Sequence, residues 1–126
     1  VHIGETDWAS ICNDLFGKNG SKAVDEYKSA QYYKMMRDWT NKKGITYFYF
    51  EGFDENWKNS ANPLHSENHF GFIDLQSHAK FAIWSLEDEG AFKGLKRNGK
   101  AITKSYNGNE QLLWGDVVAP DKILKN

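Results

Sequence analysis

The sequence predicts an α/β fold in which two parallel strands are joined by one long helix. Two short apolar stretches, residues 1–4 and 45–50, flank a helical segment at about residues 22–43. Residues 45–50 are β-branched or aromatic and do not alternate with polar residues, which is typical of a parallel strand buried on both faces. A strand, a long helix and a second strand in this order form a βαβ unit.

Both ends of the predicted helix are marked in the sequence. Ser21 can cap the amino terminus of a helix that starts at about Lys22. Lys42 and Lys43 followed by Gly44 are the cations and the glycine typical of a helix carboxyl terminus. Apolar side chains recur between these ends at three- and four-residue steps, which predicts one packed face: Ala23, Tyr27, Ala30, Tyr33, Met36 and Trp39.

The second half of the chain contains shorter predicted elements. An extended piece is expected at residues 72–75, and a helix from about residue 79 to before Gly90. From residue 94 onward the chain is polar and rich in glycine. We therefore divide the chain into two βα units at residues 1–94 and a tail at residues 95–126 that packs on them. Five tail residues are expected to anchor it: Ile102, Tyr106, Leu112, Leu113 and Trp114.

Composition excludes several classes of function. A chain of 126 residues is long enough for one domain. The formal net charge is −1 and the Lys and Arg residues are scattered, so a nucleic-acid partner is not expected. No run of 18 apolar residues exists, so no membrane span is predicted. With Cys12 alone, an intrachain disulfide is impossible.

Ionisable and aromatic side chains cluster after each predicted strand. Glu5 follows the first strand and precedes Trp8, while residues 51–70 mix five Asp, Glu and Lys residues with three aromatic ones. In an α/β barrel the carboxyl ends of the strands form the active site. A glycosidase needs one carboxylate to attack the anomeric carbon and one carboxylic acid to protonate the leaving oxygen. Two simpler interpretations stay open here: Glu5 as a turn cap and residues 51–70 as a charged surface loop.

Two histidines, His65 and His69, flank Glu67 and raise the question of a metal site. The zinc-protease pattern requires His-Glu-x-x-His on a helix. The spacing here differs, and Asn62 followed by Pro63 indicates a loop. We therefore predict no metal and no organic cofactor.

Three motifs resemble segments of family 17 glycoside hydrolases. Gly-Glu-Thr-Asp-Trp-Ala-Ser at residues 4–10 resembles the family signature Gly-Glu-Thr-Gly-Trp-Pro-Ser. Phe-Glu-Gly-Phe-Asp-Glu-Asn-Trp-Lys at residues 50–58 resembles Phe-Glu-Ala-Phe-Asp-Glu-x-Trp-Lys of bacterial and fungal members. Glu-Asn-His-Phe-Gly at residues 67–71 resembles the Glu-x-His-(Phe/Trp)-Gly segment that follows. Their order matches the family, and the resemblance is close from residue 1 to about residue 85.

The resemblance implies a (β/α)8 TIM barrel that cleaves β-1,3-glucan with retention of configuration. This chain would be its C-terminal portion, about the last two βα units plus the tail, with residues 1–4 ending the seventh strand and residues 45–50 forming the eighth. The family's general acid/base, a glutamate after the fourth strand, would lie in the missing N-terminal part of the barrel, on the same or a separate chain. The 126 residues alone are therefore expected to be inactive, and open strand edges make self-association possible.

The resemblance also implies roles for individual residues. Glu5 would be the nucleophile. The substrate-binding residues would be Trp8, Phe53, Glu55, Trp57, Lys58 and Glu67. Asp7 stands where the family has glycine, so repulsion between like charges is expected beside Glu5. The family further implies a secreted or cell-surface protein.

Two questions stay open in the sequence. Water or a second sugar hydroxyl could release the glycosyl group, so hydrolysis and transglycosylation are both compatible with the motifs. The second hypothesis is a non-catalytic carbohydrate-binding or structural subunit that keeps the aromatic walls without the acid/base.

Overall fold

The computed structural model describes residues 1–13 and 22–117. Strand β1 (His2–Thr6) lies parallel to strand β2 (Thr46–Tyr49), and helix α1 (Glu26–Lys43) connects them. This confirms the predicted βαβ unit. Because the two strands run in the same direction, the loops that carry the sequence motifs leave them at the same edge of the sheet.

Helix α1 begins later than the sequence predicted. Its amino-terminal cap is Asp25, whose carboxylate accepts a hydrogen bond of 2.8 Å from the backbone N–H of Lys28. The predicted start near Lys22 is wrong, since Lys22 has a φ of 56° and precedes the helix; the predicted cap, Ser21, lies outside the described residues. The predicted carboxyl terminus is confirmed: Gly44 adopts the left-handed conformation, with a φ of 65°.

One face of β2 packs on α1 and the other is exposed. The ring of Tyr49 lies 5.1 Å from that of Tyr33 on the helix, whereas the side chain of Phe48 is 64% exposed. The prediction of burial on both faces is therefore wrong. In the part of the chain that the structure describes, β1 is the neighbour of β2 and nothing covers the second face, which in a closed barrel packs against side chains from other strands.

The predicted packed stripe of α1 is confirmed in its middle and wrong at its end. Ala30 is 1% exposed, and Tyr27 lies against the rings of Phe81 and Trp114. Trp39 is 46% exposed. The helix thus packs on both the sheet and the C-terminal part of the chain through its first three turns.

Short elements complete the domain. They are β3 (His78–Ala79), α2 (Trp84–Asp88), β4 (Lys96–Arg97), β5 (Lys100–Ala101), β6 (Thr103–Lys104) and α3 (Glu110–Gly115). Strand β3 pairs in parallel with β6, and β4 pairs with β5 in a hairpin. The helix predicted from residue 79 is instead a 3-10 turn, Phe81–Ile83, followed by the short α2, which ends before Gly90 as expected.

An apolar core joins the tail to the rest of the domain. Ile73, Ala79, Ile83 and Ile102 are all buried and in contact. Of the expected anchors, Ile102 and Leu113 are buried, at 8% and 1% exposure, while Leu112 and Trp114 are about half exposed. The division at residue 94 stays a prediction. No helix in residues 1–13 and 22–117 is long and apolar enough to cross a membrane.

Candidate active site

Four charged side chains from three segments meet at the carboxyl ends of β1 and β2. Glu5 is exposed at the end of β1, and its charge is close enough to act on the carboxyl group of Asp7. Glu67 and Lys58 are close enough to act on Asp7 electrostatically. Burial, and then the negative charge of Glu5, raise the pKa of Asp7 above its ordinary value. Ionising Asp7 beside Glu5 and Glu67 therefore costs free energy.

Lys58 holds two further carboxylates beside this group. Its ammonium lies 3.1 Å from Glu51 Oε2 and 2.9 Å from Glu55 Oε2, and 4.0 Å from the centre of the Phe50 ring. Phe50 and Glu51 begin the loop that follows β2, so the sheet edge and the second motif come together at this lysine. We refer to Lys58, Glu51 and Glu55 as the Lys58 cluster.

The two carboxylates of the Lys58 cluster respond differently to their surroundings. Burial raises the pKa of Glu51, whereas the contact with Lys58 lowers the pKa of Glu55. Burial alone would lower the pKa of Lys58, but its contacts with Glu55 and Glu51 outweigh burial and raise it. A proton entering this cluster is therefore held by Glu51, while Lys58 and Glu55 stay charged.

A pocket of about 300 Å³ opens next to Asp7. Its lining residues include the aromatic Trp8 and Phe70 and the acidic Asp7 and Glu67. Aromatic faces combined with a few convergent polar groups are typical of small-molecule and sugar sites. The pocket thus joins residues of the first and third sequence motifs in one cavity.

Trp8 is held by contacts with helix α1 and with the segment that precedes it. Its ring lies 5.1 Å from that of Tyr32 on α1, and its indole N–H donates to the carbonyl of Ala23 at 3.0 Å. Ser29 donates a hydrogen bond of 2.9 Å to the backbone carbonyl of Trp8. Because the indole N–H is already used, Trp8 presents an apolar face to the pocket.

The other two predicted aromatic residues are more exposed. Trp57 is 68% exposed, with Lys58 Nζ 5.9 Å from its ring centre. Phe53 is 49% exposed, and the guanidinium of Arg97 lies 5.1 Å from its ring centre. Trp57 thus extends the Lys58 cluster, whereas Phe53 lies against the β4–β5 hairpin.

A buried network centred on Lys80 ties the three motifs together. Lys80 Nζ donates to Asp54 Oδ1 and to Ser10 Oγ, both at 2.7 Å, and to the carbonyl of His69 at 3.4 Å. Asp54 is 1% exposed and Lys80 5%. Ser10, Asp54 and His69 belong to the first, second and third motif, so one ammonium group sets their relative positions. We call these four residues the Lys80 network.

Backbone contacts reinforce the Lys80 network. The N–H of Gly71 donates to Asp54 Oδ1 at 2.8 Å. Arg97 donates hydrogen bonds to the backbone carbonyls of Ile73 and Asp74, both at 3.0 Å, and to that of Asp54. Sequence reasoning missed Arg97 because its partners lie more than 20 residues away.

The histidines within and just before the third motif, His69 and His65, have structural partners. His65 Nδ1 accepts a hydrogen bond of 3.2 Å from the backbone N–H of Glu67 and caps the turn Ser66–Asn68. His69 Nε2 lies 2.7 Å from the carbonyl oxygen of Pro63. Among the described residues no group of three metal-ligating side chains is found.

The structure brings together most of the predicted site residues. Glu5 and Glu67 both act on Asp7 electrostatically. Glu55 and Trp57 both lie close to Lys58. Trp8 lines the pocket together with Glu67. Lys80 was missed, although the sequence contains a signal for it. It interrupts the apolar run of residues 79–83, and a lysine buried in such a run requires an anionic partner.

Comparisons with known proteins add one specific similarity. No family model matches the chain. No curated protein matches it. The chain is similar to the crystal structure of an endo-laminarinase from Formosa Hel1_33_131, with 51% sequence identity and a TM-score of 0.91. The similarity covers 94% of this chain and 30% of that one. The chain therefore has a β-glucanase-related α/β fold and corresponds in length to part of that enzyme.

Proposed function

We propose that this chain is the nucleophile-bearing part of a retaining β-1,3-glucan hydrolase of family 17, in which it forms the last two βα units and the tail of a TIM barrel. The observation that carries the proposal is the convergence of Glu5, Glu67 and the Lys58 cluster at the carboxyl ends of two parallel strands. The endo-laminarinase similarity supports a β-1,3-glucan as the substrate. We further propose that the protein acts outside the cell, where such polysaccharides are found.

In the proposed reaction Glu5 attacks the anomeric carbon from the open side of the site. A bond forms between that carbon and a Glu5 carboxylate oxygen, the bond to the leaving oxygen breaks, and an acid/base outside this chain protonates the leaving oxygen. Water, activated by the same acid/base, then hydrolyses the glycosyl-enzyme. Glu67 and Lys58 bind sugar hydroxyls beside Glu5, and Trp8, Trp57 and Phe53 provide apolar surfaces for sugar rings.

Trapping the covalent intermediate tests the nucleophile. The full-length protein that contains this chain is incubated with a 2-deoxy-2-fluoro-β-laminaribiosyl fluoride, digested, and analysed by peptide mass spectrometry. We expect the label on Glu5 and a loss of laminarin hydrolysis on the order of 10⁴-fold in Glu5→Gln. The matched control is Glu89→Gln, at an exposed glutamate after α2, which is expected to keep normal activity.

The alternatives give different results in the same experiment. Label on Asp7 or Glu67 would identify that residue, instead of Glu5, as the nucleophile. Binding of laminarin without turnover by the wild-type protein would instead support the non-catalytic carbohydrate-binding subunit. Product analysis with an added oligosaccharide acceptor separates hydrolysis from transglycosylation, because transfer yields products longer than the substrate.

A further inference from the structure

Strand β1 contains a bulge just before its end. Two of its residues, Gly4 and Glu5, stand opposite one residue of β2, Phe48. The pairs on either side of the bulge are Ile3 with Tyr47 and Thr6 with Tyr49. Bulges are rare between parallel strands and are over-represented next to active sites, where they turn a side chain in a new direction. In this strand the bulge includes the residue assigned above as the nucleophile.

The bulge decides which side chain of β1 faces helix α1. In a regular strand residues two apart share a face, so Glu5 would lie on the face of Ile3. Ile3 stands opposite Tyr47, which shares a face of β2 with Tyr49, and the ring of Tyr49 packs on α1. Because of the extra residue, Thr6 takes this position instead and is 9% exposed, whereas Glu5 is exposed.

Thr6 is held from two sides. Its backbone carbonyl accepts a hydrogen bond of 2.8 Å from the N–H of Phe50, where the pairing with β2 resumes. Its hydroxyl is hydrogen-bonded to the hydroxyl of Tyr32 on α1. The ring of Tyr32 also lies 5.1 Å from that of Trp8, two residues further along the chain. One tyrosine of the helix therefore holds the segment that follows the bulge.

Gly4 does not impose the bulge. Among the described residues, a Cβ atom at Gly4 would meet no atom within 4 Å apart from its chain neighbours. Its φ also lies outside the left-handed region that favours glycine. Neither crowding nor backbone conformation requires a glycine there, so the contacts of Thr6 with Phe50 and Tyr32 are what fix the bulge.

We propose that Tyr32 is a positioning residue for the nucleophile: its hydroxyl fixes Thr6 against α1 and thereby keeps the bulge that directs Glu5 away from the helix. The inference rests on the function proposed above. Tyr32 acts through Thr6, which is next to Glu5 in the chain. When Thr6 is released the backbone at the bulge can shift, and a displacement of about 1 Å at a reacting group costs about 10²-fold in rate.

Single-turnover kinetics of the full-length protein test the hydroxyl pair. The substrate is 2,4-dinitrophenyl β-laminaribioside, whose leaving group departs without protonation, so the rate reports the attack by Glu5. The protein is in saturating excess, so the rate constant does not depend on the fraction of molecules that fold. Tyr32→Phe keeps the ring against Trp8 and removes the hydroxyl, and we expect it to lower the rate constant by about 10–100-fold without weakening substrate binding.

Tyr27→Phe is the matched control on the same helix. The hydroxyl of Tyr27 accepts a hydrogen bond of 2.9 Å from Gln31 Nε2 at the exposed surface of α1. Both substitutions remove one hydroxyl and one hydrogen bond, but only that of Tyr32 reaches the first motif. The rate constant of Tyr27→Phe is therefore expected to stay within about twofold of the wild-type value.

Substitutions at Thr6 test the other half of the hydrogen bond. Thr6→Val keeps the branched shape without the hydroxyl and is expected to lose about as much rate as Tyr32→Phe. Thr6→Ser keeps the hydroxyl and is expected to stay within about threefold of the wild type. The double variant Tyr32→Phe/Thr6→Val is expected to fall at most about twofold below either single variant, because all three lack the same hydrogen bond.

The failure of this inference differs from the failure of the proposed function. The Tyr32 assignment is overturned if Tyr32→Phe falls no further than Tyr27→Phe, if Thr6→Ser falls as far as Thr6→Val, or if the two single losses multiply in the double variant. The nucleophile assignment then still holds, provided that the wild-type protein cleaves the aryl glycoside and is labelled on Glu5. If the wild-type protein cleaves neither this substrate nor laminarin, both are overturned.

Discussion

The Lys58 cluster and the Lys80 network both pair a lysine with carboxylate, at two depths: Lys58 with two carboxylates and Lys80 with the one of Asp54. The side chain of Lys58 is 15% exposed and that of Lys80 6%. Lys58 pairs with Glu51 and Glu55, which lie seven and three residues away on its own loop. Lys80 pairs with Asp54 and Ser10, which are 26 and 70 residues away in the sequence.

The two lysines therefore have different roles: Lys58 belongs to the site, and Lys80 supports the segments that form it. A buried ion pair is held by good geometry and by the hydrogen bonds that satisfy its remaining atoms, and removing one partner leaves an uncompensated charge. A pair near solvent contributes little to stability and stays accessible to a substrate. We therefore expect Lys80 substitutions to act on folding and Lys58 substitutions to act on catalysis.

The largest expected effect is that of Lys80→Met. It leaves the buried carboxylate of Asp54 without its cation, at a cost of about 3–5 kcal/mol in the free energy of unfolding. Urea denaturation of the full-length protein measures this loss. The double variant Lys80→Met/Asp54→Asn is expected to recover part of it, because no charge is then left buried and Asn can still accept from Gly71. A cost below about 1 kcal/mol would place Lys80 in the same class as a surface lysine.

Gly71→Ala tests how tightly the backbone packs next to Asp54. A Cβ atom there would lie 2.2 Å from the backbone nitrogen of Asp54 and 2.3 Å from the carbonyl carbon of Phe53. Both are main-chain atoms, so the segments must separate, at an expected cost of about 1–3 kcal/mol measured by urea denaturation. The control is Gly52→Ala, where nothing lies within 4 Å and the change is expected to stay within about 0.5 kcal/mol. Equal effects at the two glycines would contradict a tightly packed support.

The βαβ unit could be predicted because its signals are local. Residues 45–50 form an apolar β-branched and aromatic run, and Gly44 marks the end of α1. The start of α1 could not be located, since Ser21 and Asp25 both have side chains suited to capping and only packing selects one. The exposure of Phe48 depends on which strands lie beside β2, which local sequence does not encode.

The candidate site, too, could be predicted only where its signals are local in the sequence. Glu5, Glu67 and Lys58 could be proposed from their motifs, because each motif places an ionisable residue after a strand or in an aromatic-rich loop. The interactions between motifs could not, since they depend on contacts between segments far apart in the chain. Lys80 was not predicted as part of the site, although a charged residue inside an apolar run indicates a buried partner.

The smallest expected change in stability, and the sharpest contrast with Lys80, is that of Lys58→Met. Near solvent the loss of the ion pairs is expected to cost at most about 1 kcal/mol in the free energy of unfolding. The pKa of Glu51 is already raised by burial, so Glu51 can take up a proton when the cation is gone. The cost therefore grows as pH rises, because both Glu51 and Glu55 then ionise without their cation.

For activity per folded molecule we expect the opposite order, with a larger loss in Lys58→Met than in Lys80→Met. Lys58→Met should lower kcat/KM for laminarin by about 10²-fold per folded molecule, since it removes a charged group that positions the sugar. Urea denaturation at two pH values and laminarin kinetics on the same preparations measure both quantities. If Lys58→Met lost as much stability as Lys80→Met and kept its kcat/KM, the two clusters would not differ in function, and the contrast in burial would have no consequence for catalysis.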